Sequence, residues 1–127
     1  MNQATPPTTT APAASQRLHT PFQASANVRT RIKICGLTRE EDVDAAVAAG
    51  ADAVGFVLYA PSPRAVTPQR AAQLARRLPP FVTPVLLFVN ESTPNVIASI
   101  TSIPGATVQF HGDETHHGVL AAPHHAA

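Results

Sequence analysis

The sequence predicts an α/β fold on a parallel sheet of about four strands and three helices, and three observations carry that prediction. Apolar runs of strand length alternate with stretches of helical periodicity three times over, and the series ends on a fourth run. Residues 51–58 and 82–89 are nearly continuous in apolar side chains, as strands buried on both faces are. Helix stops and starts, Gly50, Thr67-Pro68, Pro79-Pro80 and Thr93-Pro94, fall between the runs and separate them into units. Strand–helix alternation of this kind builds a parallel sheet covered by helices, with right-handed crossovers.

Residues 1–30 stand apart from this pattern. They are rich in Thr, Pro, Ala and Gln, contain Arg17 and Arg29 but no acid, and lack the apolar set needed to offset ordering entropy. They are expected to be a disordered N-terminal tail. The absence of acids suits an organelle transit peptide, but two arginines without an amphipathic period argue against one.

The patterned region begins at residue 31. Residues 31–35 alternate as a short strand. Thr38 then opens a helix with Glu41 three residues on, the spacing of a capping box. Val43, Ala46, Val47 and Gly50 share one face of that helix, and Gly50 ends it. The second strand, 51–58, runs into a loop kept non-helical by Pro61 and Pro63. Thr67 with Pro68 forms an N-cap and first-turn pair for a second helix, which buries Ala71, Leu74, Ala75 and Leu78 before Pro79-Pro80 stops it. The third strand is 82–89, and Pro84 is expected near its start. Thr93-Pro94 repeats the cap for a third helix lined by Val96, Ile100 and Ile103. Residues 107–110 form the fourth strand. Residues 115–127, with four histidines and four alanines, carry no pattern.

Two architectures fit this order: an open doubly wound sheet, or part of a (β/α)8 barrel. A full barrel takes about 250 residues, so four strands are half of one. Composition narrows the function. The 127 residues are 44% hydrophobic with a net charge of +1, and no basic stripe suggests a nucleic-acid partner. A single cysteine, Cys35, excludes an internal disulfide. The apolar run 85–89 is too short to span a bilayer, and no signal peptide is visible, so the expected location is the cytoplasm. His116-His117 and His124-His125 lack the ligand spacing of a metal site, and none is expected.

Both architectures place ligands at the carboxyl ends of the strands. Those ends are legible: Cys35-Gly36, the loop carrying Ser62 and Arg64, Asn90, and His111-Gly112-Asp113. A thiol, a guanidinium, an amide and an imidazole would therefore share one rim. Each also has an ordinary structural reading: Cys35 as a small core residue, Arg64 as a solvated loop charge, Asn90 and His111 as turn residues. Arg70, Arg76 and Arg77 read as the solvated face and dipole partners of their helix.

Five segments arrive in order at workable spacing: Lys33-Ile34-Cys35-Gly36-Leu37-Thr38, Gly50-Ala51-Asp52-Ala53-Val54-Gly55-Phe56, Ser62-Pro63-Arg64, Phe88-Val89-Asn90 and Val108-Gln109-Phe110-His111-Gly112-Asp113-Glu114. Together they resemble phosphoribosylanthranilate isomerase, over residues 31–114. The resemblance implies a (β/α)8 TIM barrel that converts N-(5-phosphoribosyl)anthranilate to 1-(2-carboxyphenylamino)-1-deoxyribulose 5-phosphate in tryptophan biosynthesis, an Amadori rearrangement using no cofactor and no metal. It implies Cys35 as the general base, taking the proton from C2 of the ring-opened sugar as a thiolate. It implies Arg64 as a forked partner of the anthranilate carboxylate, and His111 as a further substrate-binding residue at the same rim.

The departures from the family are as informative. Its general acid is an aspartate on a later strand, and its phosphate-binding loops follow the last two strands; this chain ends before both, and the likeness stops after Glu114. Asp113 follows the wrong strand, Asp52 lies at the wrong end of the sheet, and Tyr59-Ala60-Pro61 replaces the family's Tyr-Pro-Lys. Residues 31–114 are therefore expected to be the N-terminal half of a truncated barrel, without useful activity alone. An open sheet edge would favour self-association or pairing with a complementary half. Two other readings compete: a non-catalytic half-barrel of that kind, and a thiol-nucleophile enzyme on an open α/β sheet using Cys35 with His111.

Overall fold

The computed structural model describes residues 29–115, together with Ala4, Thr5 and Pro7. The expected tails, 1–30 and 115–127, lie almost wholly outside the described residues, and so do His116, His117, His124 and His125. Seven elements follow one another: β1 (Lys33–Cys35), α1 (Glu40–Ala48), β2 (Ala53–Val57), α2 (Pro68–Ala75), β3 (Thr83–Phe88), α3 (Thr93–Ser102) and β4 (Thr107–Phe110).

All four strands are parallel, and their order in the sheet is their order in the chain. That order decides between the two architectures. A doubly wound sheet reverses direction and puts helices on both faces. Here there is no reversal, so right-handed crossovers send every helix to the same side. The core confirms it: Val43 and Ala46 of α1, Ala71 and Leu74 of α2, and Val96 and Ile100 of α3 pack in one cluster with Val54, Phe56, Leu58, Leu86 and Phe88. Phe56 and Phe88 are fully enclosed there, each worth roughly 1.5–3 kcal/mol of burial.

Strand alternation puts the complementary set, Lys33, Cys35, Gly55, Val57, Val85, Leu87 and Gln109, on the other face. Lys33 Nζ donates to Gln109 Oε1, a bond between the two outermost strands. Three interstrand gaps in a flat sheet separate such strands by about 14 Å, and side chains standing upright would not meet. The sheet is therefore curled about this face. The fold is the first four strands and three helices of a (β/α)8-type barrel.

Local expectations fare unevenly. Thr67 caps α2 as expected, its Oγ1 accepting from the Arg70 amide at 3.1 Å. Pro84 is second in β3 and precedes the register with β4, which starts at Val85, so its missing N–H breaks no bond on that side. The capping box at Thr38 does not form: the N-cap is Arg39, whose side chain makes no capping bond, and Glu40, Glu41 and Asp42 meet the positive end of the helix dipole instead. The third helix is capped at Ser92, one residue earlier than expected.

Candidate active site

The carboxyl ends of β1 and β2 bring Cys35 and Arg64 together. Cys35 ends β1 and lies in register with Gly55 on the inner face. A Cβ on Gly55 would sit 2.6 Å from Cys35 Sγ. The glycine is thus the space that the thiol occupies. Gly36 and Leu37 then donate to the Gly55 carbonyl at 2.8 and 3.2 Å, which fixes the turn leaving β1. Gly36 has φ +81°, and a Cβ there would fall 2.8 Å from Arg64 Nη1 and 2.9 Å from Arg64 Cδ. Arg64 therefore lies flat over Gly36, and its Nη1 makes a long contact of 3.5 Å with the Cys35 carbonyl. The loop that carries Arg64 returns to the sheet where Val66 N donates to Val57 O at 2.9 Å. Cys35 is a free, half-buried thiol and Arg64 is exposed.

The ends of β3 and β4 form a second pair. His111 N donates to Phe88 O at 2.9 Å and so extends the ladder by one residue. Asn90 adopts φ 50°, a conformation that asparagine tolerates better than most residues. Its Oδ1 accepts from Asp113 N at 2.9 Å, and a Cβ on Gly112 would meet that oxygen at 2.7 Å. The Glu114 carboxylate reaches back to bind Asn90 N and Gly112 N, both at 2.7 Å. Burial pushes the Glu114 carboxyl up, but the amides of Asn90, Glu114 and Gly112 and the nearby His111 hold it below its ordinary value. Glu114 is thus a clasp between two loops.

Among the expected site residues, Cys35 with Arg64 and Asn90 with the His111 turn make contact, each pair on neighbouring strands. The Lys33–Gln109 bond is what joins the β1 and β4 sides across the inner face. Lys33 was legible as an inner-face neighbour of Cys35, two residues away in the same strand; Gln109 and Glu114 stood in the fifth family-like segment, but nothing in it showed their partners. Among the described residues no group of three His, Cys, Asp or Glu side chains could hold a metal ion, and no helix is long and apolar enough to cross a membrane.

Arg70 and Arg77 keep part of their surface in solvent, as expected, but each is also ion-paired: Arg70 binds Glu40 through Nη1 at 2.6 Å and Nη2 at 2.8 Å, and Arg77, just past the end of α2, binds Asp44 at 2.8 and 2.5 Å, so both reach across to α1. Asp52 lies at the amino end, as expected, where the Arg29 guanidinium, then the Ile32 amide, hold its carboxyl down at about 2. A cavity of about 920 Å³ lies between α2 and α3 and reaches the loops next to Arg64 and Asn90, lined among others by Ala65, Ala72, Arg76, Glu91, Asn95 and Ser99.

Comparison with known proteins gives the family. The model of the family described as N-(5'phosphoribosyl)anthranilate (PRA) isomerase matches residues 32–126, continuing past Glu114, where the residue-by-residue likeness ended. N-(5'-phosphoribosyl)anthranilate isomerase of Methylibium petroleiphilum is 69% identical over 88 residues, 69% of this chain and 41% of that protein. The enzyme of Dechloromonas aromatica is 67% identical over 87 residues, 68% of this chain and 42% of that protein. The crystal structure of phosphoribosyl anthranilate isomerase from Thermotoga maritima superposes with a TM-score of 0.70 at 40% identity, over 72% of this chain and 45% of that one. A phosphoribosyl anthranilate isomerase solved in complex with reduced 1-(o-carboxyphenylamino)-1-deoxyribulose 5-phosphate matches equally, with a TM-score of 0.70 and 40% identity over 72% and 47% of the two chains. This chain spans about two fifths of the length of these curated relatives.

Proposed function

This chain belongs to the N-(5'-phosphoribosyl)anthranilate isomerase family, and we propose that it supplies the general base and the carboxylate-binding arginine of that isomerisation. The observation that carries the proposal is the pairing of Cys35 with Arg64 at the carboxyl end of neighbouring strands. In this reading the substrate is N-(5-phosphoribosyl)anthranilate, bound over the concave face. The Arg64 guanidinium offers a fork to the anthranilate carboxylate. The Cys35 thiolate then takes the proton from C2 of the ring-opened imine, and the resulting enolamine becomes the ketone. His111 contributes a donor at the same rim. The acid that opens the sugar ring is not offered by the clasped Glu114, whose carboxylate is taken up by backbone amides. We assign ring opening and phosphate binding to barrel strands beyond these four, and the location to the cytoplasm, where a lone cysteine stays reduced.

The test is reconstitution. The 127-residue chain by itself is expected to give no steady loss of anthranilate-adduct fluorescence. Mixed with a polypeptide carrying the remaining strands of the Methylibium petroleiphilum relative, it is expected to turn over. In the mixture Cys35→Ala should lower the rate by about 10²–10⁴, the usual contribution of a positioned acid–base group. Thr101→Ala on the exposed side of α3 should leave it unchanged. Full turnover by the Cys35→Ala mixture would refute the assignment.

A further inference from the structure

We propose that Arg70 is the positioning residue that sets Arg64 against Cys35, an inference that rests on the site reading above. Arg64 is poorly held by its own contacts. Its backbone N donates to Ser62 Oγ at 3.2 Å, its guanidinium makes the long contact with the Cys35 carbonyl, and among the described residues no carboxylate pairs with it. Yet it lies on Gly36 with less room than one Cβ would need. Such a fit requires the two connections, β1 to α1 and β2 to α2, to be fixed relative to each other.

Arg70 is placed to do this. It sits in the first turn of α2, at the end of the connection that carries Arg64, and its amide is fastened to Thr67 Oγ1. Its guanidinium crosses to the other connection. Nη2 donates to the Thr38 carbonyl at 3.1 Å, just beyond Cys35, Gly36 and Leu37, while both terminal nitrogens grip the Glu40 carboxylate. The side-chain bond from Arg70 holds the Glu40 carboxyl below its ordinary value. Arg77, just past the end of α2, and Asp44 of α1 make a second, similar ion pair, but it touches neither connection. The molecule thus contains its own control: one interhelix pair that reaches the rim and one that does not.

Because Cys35 is the only cysteine, alkylation of the full 127-residue chain reads a single thiol. The rate with iodoacetate divided by the rate with iodoacetamide reports a cation beside that thiol, and a general loosening of the fold cancels from the ratio. Arg64→Ala is expected to lower the ratio by roughly two- to fivefold, the size of an exposed charge interaction. Arg70→Met should lower it comparably. Arg70→Lys keeps the charge but not the planar fork, so the ratio should stay low. Glu40→Gln, which retains the bond to Thr38, should fall between. Arg77→Met should match the parent chain. A parental ratio in Arg70→Met, an equal fall in Arg77→Met, or recovery in Arg70→Lys would overturn the proposal. If Arg70→Met does not fold, the Lys and Gln variants decide alone. A parental ratio in Arg64→Ala would instead remove the site reading, and this inference with it.

Discussion

The two ends of the sheet are held by different means. At the amino end, one ion-paired side chain is added to the backbone bonds that Asp52 N and Ala53 N give to Ile32 O. Asp52 takes the Ile32 amide at 2.8 Å and the Arg29 guanidinium on its carboxylate, while its backbone carbonyl takes Thr83 N at 3.0 Å. One residue ties the starts of β1, β2 and β3. At the carboxyl end, the turns are held backbone to backbone: Gly36 and Leu37 to Gly55, Leu58 to Leu87, His111 to Phe88. The side chains that take part there bind the main chain: Glu114 and Asn90 accept from amides, and Arg64 and Arg70 donate to the carbonyls of Cys35 and Thr38. The Cys35 thiol and the His111 ring are consequently left over for other work. A barrel divides stability from chemistry along its axis in this way, and substitutions at the two ends should therefore fail differently.

The largest effect is expected at the carboxyl end, from Gly36→Ala. A non-glycine residue at φ +81° costs on the order of 1–3 kcal/mol, and the new methyl would also displace Arg64. Urea unfolding should show the loss of stability, and the iodoacetate preference of Cys35 should vanish with it. A variant that lost stability but kept the preference would show that Arg64 does not depend on this contact.

A smaller effect is expected from Asp52→Asn at the amino end, and it should be confined to stability. The Asp52 carboxyl is lowered from 3.8 to about 2 by Arg29 and by the Ile32 amide. A depressed carboxyl contributes stability that is complete above its unfolded value and is lost as pH falls through the folded value. The parent chain should accordingly lose stability between about pH 4 and 2. Asp52→Asn should be less stable at neutral pH and show a flatter acid limb, with the alkylation ratio at Cys35 unchanged. Arg29 is largely exposed, so salt should narrow the gap between the two chains. A change in the alkylation ratio would break the division between the two ends.

The same division explains what the sequence made legible. Elements appeared wherever one local rule sufficed: Thr67-Pro68 opened α2 as read, and the nearly continuous apolar runs 51–58 and 82–89 contained β2 and β3. Thr38 failed because three acids in the next turn serve the helix dipole, and the cap moved to Arg39. Periodicity left open the choice between open sheet and barrel because strand order is not periodic information. The rim residues Cys35, Arg64, Asn90 and His111 were readable because position at a strand end is a property of the sequence. Their partners were not. Arg70 looked like a solvated helix residue until α1 was placed beside α2, and Gly55 looked like a strand residue until the register put it opposite Cys35. Spacing along the chain shows who stands at the rim; contacts between strands and helices show what holds them there.

The smallest effect tests whether the amino end uses every residue as fully as it uses Asp52. Phe81 follows Pro79-Pro80 in the turn before β3, with φ 71° and its ring fully exposed. A left-handed conformation costs a non-glycine residue about 1–2 kcal/mol, and an exposed ring returns no burial against that. Phe81→Gly removes the strain but adds about 0.5–1 kcal/mol of unfolded-state entropy. The net change should be within about 1 kcal/mol, toward greater stability, read as a raised urea midpoint at constant slope. Phe81→Ala keeps the strained backbone and loses only the ring, so its midpoint should match the parent. A fall in the midpoint of both variants would mean that the ring itself holds the turn. The amino end would then depend on an apolar contact at Phe81 as well as on the polar clasp at Asp52.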